Sequence, residues 1–183
     1  MLRQPAQLKD QSTLSNRSCR RDKTMESSGS CRCGHLRYRF EGPFGPVANC
    51  YCAFCRRVHG AAFTTVALVD PDRFTWLSPV ENASIYTTPQ GAVRRFCGQC
   101  ASPVFNYSPI LELGAILTNS LDSPQPAPWL HVNLESKLPW LLISDGLPQF
   151  QTWPTPEQMR MLVESHPGSW MPRRFTDEKD SPS

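Results

Sequence analysis

Alternation between apolar and polar positions dominates the chain and predicts short strands. In "GSCRCGHLRYRFEG", Leu36, Tyr38 and Phe40 alternate with Arg37 and Arg39, the pattern of a half-buried strand entered through a cysteine turn. "AAFTTVALV" (61–69) is a β-branched run ending at Asp70-Pro71, and "RFTWL" (73–77) and "ASIYTT" (83–88) read as further strands. "VRRF" (93–96) leads into Cys97-Gly98-Gln99-Cys100 and "SPVFNY" (102–107) leads out, a strand–knuckle–strand hairpin. "LELGAILTNSL" (111–121) and "WLHVNL" (129–134) complete the set. One stretch reads as a full helix, "TPEQMRMLVESH", with Thr155 as N-cap, Pro156 at the first helical position and Gln158 three beyond the cap. A shorter turn of helix is expected through "AFCRRVHG", stopping at Gly60.

Eighteen prolines among 183 residues reinforce this picture, because proline breaks long helices and favours turns between short strands. The expected organisation is a disordered polar leader over 1–28, a mainly β domain over 29–165 with one short C-terminal helix, and a polar tail over 166–183. Charge sharpens those boundaries. Residues 1–30 hold six basic and three acidic residues, whereas 31–183 hold 13 of each sign. The neutral body argues against nucleic-acid binding, as does the lack of a basic–aromatic stripe. The leader has no apolar segment of the secretory kind, and Asp10, Asp22 and Glu26 disfavour a transit peptide; translation from Met25 is the favoured reading of residues 1–24. No apolar run approaches the ~20 residues of a membrane helix.

Eight cysteines without an export signal point to a reducing, cytoplasmic setting and to metal before disulfides. Cys31 and Cys33 form one pair, Cys97 and Cys100 another, Cys50, Cys52 and Cys55 a triplet, and Cys19 stands alone in the leader. Each tight turn places its thiolates on one side, and two turns brought together complete a tetrahedron. Economy makes Cys31, Cys33, Cys97 and Cys100 one closed site and leaves the triplet with an open fourth position, although other pairings satisfy the same count. His59, four residues after Cys55, is a candidate fourth ligand. His131 alternates with Leu130 and Val132 and reads as a strand residue able to face a cleft.

"GSCRCGHLRY", "VANCYCAFCRRVHGAAF", "RRFCGQCASPVF", "LTNSLDSP" and "HVNLESKLPWLLISDGLPQF" together resemble the glutathione-dependent formaldehyde-activating enzyme family, whose domain is shared with centromere protein V. The resemblance runs from about Gly29 to Phe150. It implies a β-tent of small zinc-bearing sheets and two zinc ions per chain. It also implies a structural site of Cys31, Cys33, Cys97 and Cys100 and a catalytic site of Cys50, Cys52 and Cys55. The implied activity is a carbon–sulfur lyase joining formaldehyde and glutathione as S-(hydroxymethyl)glutathione, with a small thiol and aldehyde as partners. Ala101 stands where the family usually has glycine, Tyr51 where a histidine is often found, and Asn119 where a small residue is usual.

Three thiolates on a zinc ion leave a net negative charge, which suits holding a substrate thiol as thiolate more than polarising a carbonyl. His59, His131 and Tyr51 are the candidate proton donors. Arg56, Arg57, Arg94 and Arg95 flank the cysteine turns and are candidates for holding a tripeptide's carboxylates. The rival expectation is a non-catalytic zinc scaffold with the triplet closed by a histidine or a partner protein.

Overall fold

A computed structural model describes residues 25–122 and 125–175. The expectations for residues 1–24, Cys19 included, and for the tail beyond 175 lie outside the described residues. In chain order the strands are β1 (Glu26–Ser30), β2 (Arg37–Glu41), β3 (Val47–Cys50), β4 (Thr64–Val69), β5 (Phe74–Trp76), β6 (Ala83–Thr87), β7 (Val93–Cys97), β8 (Pro103–Ser108), β9 (Leu113–Leu117) and β10 (Leu130–Val132). Two α-helices join them, α1 (Ala53–His59) and α2 (Pro156–Glu164). The mainly β expectation holds, as does the start of α2. Thr155 and Gln158 form a reciprocal capping box with Pro156 in the first turn. Gly60 ends α1 in the left-handed conformation, at φ 57°.

Two sheets result. One has three strands in the order β1-β2-β5, and the other seven in the order β10-β3-β4-β9-β8-β7-β6. Every pairing is antiparallel except that of β10 with β3, where His131 lies opposite Asn49 and Val132 opposite Cys50. The main core joins the two sheets. Tyr38 and Phe40 of β2 are fully buried. Phe74 of β5 stacks on Tyr38 at 4.9 Å and on Phe105 of β8 at 4.0 Å between ring centroids. Burying one such ring stabilises the fold by about 1.5–3 kcal/mol. The Tyr38 hydroxyl bonds Ser120 Oγ at 2.8 Å, and burial pushes its pKa up. A second core of Ala48, Val66, Leu117, Leu130 and Val132 lies beside the cysteine triplet, with Leu162 of α2 packed against it.

Two boundaries differ from expectation. The folded chain begins before Gly29, because Glu26–Ser30 pairs along the whole of β2. Its sequence, ESSGS, carries no apolar alternation; Ser27 and Gly29 are the buried positions, while Ser28 and Ser30 donate to Asp122 at the surface. Gly29 permits that approach, since a Cβ there would stand 2.2 Å from the Tyr38 ring. At the other end, the segment after α2 folds back. Trp170 N donates to the Phe44 carbonyl at 3.0 Å, and Pro172 and Phe175 are buried. Strand β3 was not expected, because its four residues, all buried, show no alternation. Among the described residues no helix is long and apolar enough to cross a membrane.

Candidate metal centre and cavity

The turn between β1 and β2 carries Cys31 and Cys33, and the turn between β7 and β8 carries Cys97 and Cys100. The sheets bring these turns together so that their four sulfurs lie within 4.8 Å of one another. Backbone amides point at the sulfurs, with Leu36 N at 3.2 Å from Cys31 Sγ and Gln99 N at 3.4 Å from Cys97 Sγ. The Ser102 hydroxyl, 3.2 Å from Cys100 Sγ, and the Ser102 amide pull the Cys100 thiol down to about 5. Ala101 closes the second knuckle at φ 58°, with its N–H on the Cys97 carbonyl. A residue with a Cβ is strained at this angle, which glycine adopts freely.

The triplet stands on different supports. Strand β3 ends at Cys50. Cys52 caps α1, its sulfur accepting from Cys55 N at 3.3 Å, and Cys55 sits in the first turn. Their sulfurs also lie within 4.8 Å of one another, and among the described residues no histidine, carboxylate or further cysteine joins the group. Hydrogen bonds from the Cys50 and then the Cys55 thiol pull the Cys52 thiol down to about 2, while contacts with the Cys50 and then the Cys52 sulfur push Cys55 up. Asn133 donates its side-chain N–H to Cys50 Sγ at 3.2 Å. Its backbone takes φ 60°, a conformation asparagine tolerates better than most residues. Converging sulfur donors braced by N–H groups suit a thiophilic divalent ion such as zinc in both clusters.

A cavity of about 410 Å³ opens beside Cys50, Cys52 and Cys55. Of the four arginines singled out in the sequence, Arg94 alone lines it. Arg56 instead donates from Nε to the Tyr51 carbonyl, Arg57 is exposed on α1, and Arg95 lines a separate cavity beyond Arg94. The expected proton donors are also elsewhere. His59 lines a neighbouring cavity together with Asn119, and burial followed by the Arg94 charge lowers its pKa. Tyr51 and His131 are almost wholly buried and engage each other, Tyr51 Oη to His131 Nδ1 at 2.9 Å. His131 Nε2 reaches both oxygens of Asp145 at 3.0 Å. This Tyr51–His131–Asp145 chain lies behind the cysteine turn and outside the cavity lining, so these side chains brace the turn. Asn133 and Asp145 carried no signal beyond the turn chemistry of Val-Asn and Asp-Gly.

A four-sulfur cluster tying two small β-sheets, with a three-sulfur cluster at a cavity, defines a β protein with two candidate metal sites. The sequence model of the family described as glutathione-dependent formaldehyde-activating enzyme matches residues 26–134. The chain belongs to that family. A protein of Halomonas elongata, provisionally named as a glutathione-dependent formaldehyde-activating enzyme, is 32% identical over 130 residues, covering 65% of this chain and 82% of the relative. A Rhodobacter sphaeroides protein of known crystal structure superposes with a TM-score of 0.47 at 21% identity, covering 54% of this chain and 91% of that one.

Proposed function

We propose that the protein is a zinc-dependent carbon–sulfur lyase that adds a thiol to a small aldehyde, or runs the reverse cleavage, with glutathione and formaldehyde as the family's reference pair. Cys31, Cys33, Cys97 and Cys100 hold the structural ion in this reading, and Cys50, Cys52 and Cys55 the catalytic one. The observation that carries it is that no fourth protein donor joins the triplet among the described residues, while all three cysteines line the 410 Å³ cavity. A zinc ion on three thiolates supplies the charge that keeps a substrate thiol deprotonated. The chain's own groups do the rest. Asn133 holds Cys50 in place through its amide, and the Tyr51–His131–Asp145 chain fixes the turn from behind. The cavity walls orient thiol and aldehyde together and limit water around them. The thiolate sulfur then bonds to the carbonyl carbon, the π pair moves to oxygen, and the oxygen takes a proton equivalent to the one the thiol lost.

The test is Cys52→Ser in the metal-replete protein, assayed for formaldehyde consumption with glutathione. Turnover is expected to fall to background and bound zinc to drop from two ions per chain to one, with the far-ultraviolet circular dichroism spectrum unchanged. Undiminished turnover overturns the catalytic assignment; loss of the fold makes the triplet a structural site.

A further inference from the structure

The cavity beside the triplet has an unusual balance of groups for a site that takes glutathione. Its floor is apolar, formed by Val66 and Leu68 of β4 with Leu113 and Ala115 of β9. Ile110, Leu111 and Trp153 extend the apolar surface to the mouth, where all three are exposed. Against this stands one cation. Arg94 is the only charged side chain among the described lining residues; the other polar ones, Gln90, Asn106, Tyr107, Ser108 and Asn133, are neutral.

Arg94 is also short of a partner. Its guanidinium makes no hydrogen bond or ion pair among the described residues, and since Nε is itself buried, a molecule in the cavity would meet the terminal nitrogens. Phe54 of α1 fixes the guanidinium from one side, with its ring centroid 5.1 Å from Cζ, and Tyr86 stacks behind Phe54. An unpaired guanidinium held in this way on a cavity wall suits an anion, and a carboxylate matches its fork.

Glutathione is a poor complement to these walls. It carries two carboxylates and an ammonium group, so one carboxylate and the ammonium would meet no opposite charge on an apolar floor. Desolvating unpaired charge there is unfavourable. We propose that the preferred thiol is a monocarboxylate with an apolar body: its carboxylate on Arg94, its sulfur at the triplet, and its hydrocarbon part on Val66, Leu68, Leu113 and Ala115. This rests on the reading of the triplet as a thiol-binding site and narrows the class of thiol it takes.

The test compares glutathione, 3-mercaptopropionate, 2-mercapto-3-phenylpropionate and the methyl ester of the last, each with formaldehyde and the metal-replete protein. The phenyl mercapto acid is expected to exceed glutathione in kcat/KM, and its ester to fall about 10–100-fold below the acid, the worth of a charge-assisted hydrogen bond. Arg94→Gln should erase the difference between acid and ester, and Leu113→Asn should weaken the phenyl compound more than 3-mercaptopropionate. A second readout needs no turnover: the visible spectrum of the cobalt-loaded protein, titrated with each thiol, should rank them in the same order. Glutathione turned over as well as or better than the phenyl acid overturns the inference and leaves the lyase reading standing. The expected ranking in the cobalt spectra with no turnover of any pair supports the ligand class and overturns the lyase reading. No spectral response and no turnover with any thiol overturns both.

Discussion

At the scale of single residues, the site depends on side chains that hold the cysteine turns rather than on the sulfurs alone. Asn133 touches Cys50 Sγ from a left-handed backbone position, so Asn133→Gly removes the amide while keeping a residue that accepts φ 60°. Loss of a ligand's supporting hydrogen bond typically costs 10–100-fold, and turnover or zinc affinity of N133G should fall by about that much with unfolding unchanged within ~1 kcal/mol. Tyr51→Phe leaves His131 Nδ1 buried without a partner and should destabilise the protein by about 1–3 kcal/mol, measured by urea unfolding of the zinc-loaded form. Ala101→Gly runs the other way: relief of the φ 58° strain should raise stability by about 1 kcal/mol in the same assay. The sequence exposed Ala101 as a departure at a turn position, and the structure supplies the strained angle. Asn133 and Asp145 could not be found in this way, since each acquires its role from a neighbour 83 or 14 positions away.

At the scale of elements, strands with alternation were legible and those without it were not. The strand at 37–41 announced itself through Tyr38 and Phe40, whose side chains face the core while Arg37, Arg39 and Glu41 face outward. Its partner β1 has no such signal, because it meets the core through Gly29, whose missing side chain leaves room for the hydroxyl end of the Tyr38 ring. Gly29→Ala should therefore be costly for so small a change, about 1–3 kcal/mol by overpacking, read as a lower unfolding midpoint. Strand β3 escaped notice for a different reason. It is covered on both faces and lies between β4 and β10, so its four residues are uniformly buried. The helices were legible because their ends are chemical: a capping box at Thr155 and a glycine at residue 60.

At the scale of the whole molecule, the two cysteine clusters differ in what they hold together. The four-sulfur cluster joins a turn of the small sheet to a turn of the large one, closing a loop of 64 residues between Cys33 and Cys97. The triplet spans six consecutive positions and closes no long loop. Cys97→Ser should therefore lower the unfolding midpoint far more than Cys52→Ser, and removal of zinc by a strong chelator should destabilise the wild type and Cys52→Ser alike. Comparable losses for the two substitutions would show that the clusters share the structural load. Tight cysteine turns, a mainly β chain and a preference for metal over disulfides could be read from the chain alone, because ligand spacing and strand alternation are local properties. The folded arrangement settled which turns meet, and that Arg94, rather than Arg56, Arg57 or Arg95, lines the cavity. It also decided that Tyr51 and His131 turn away to bond each other. Those outcomes depend on strand order and register, which bring residues far apart in the chain to one side of a sheet.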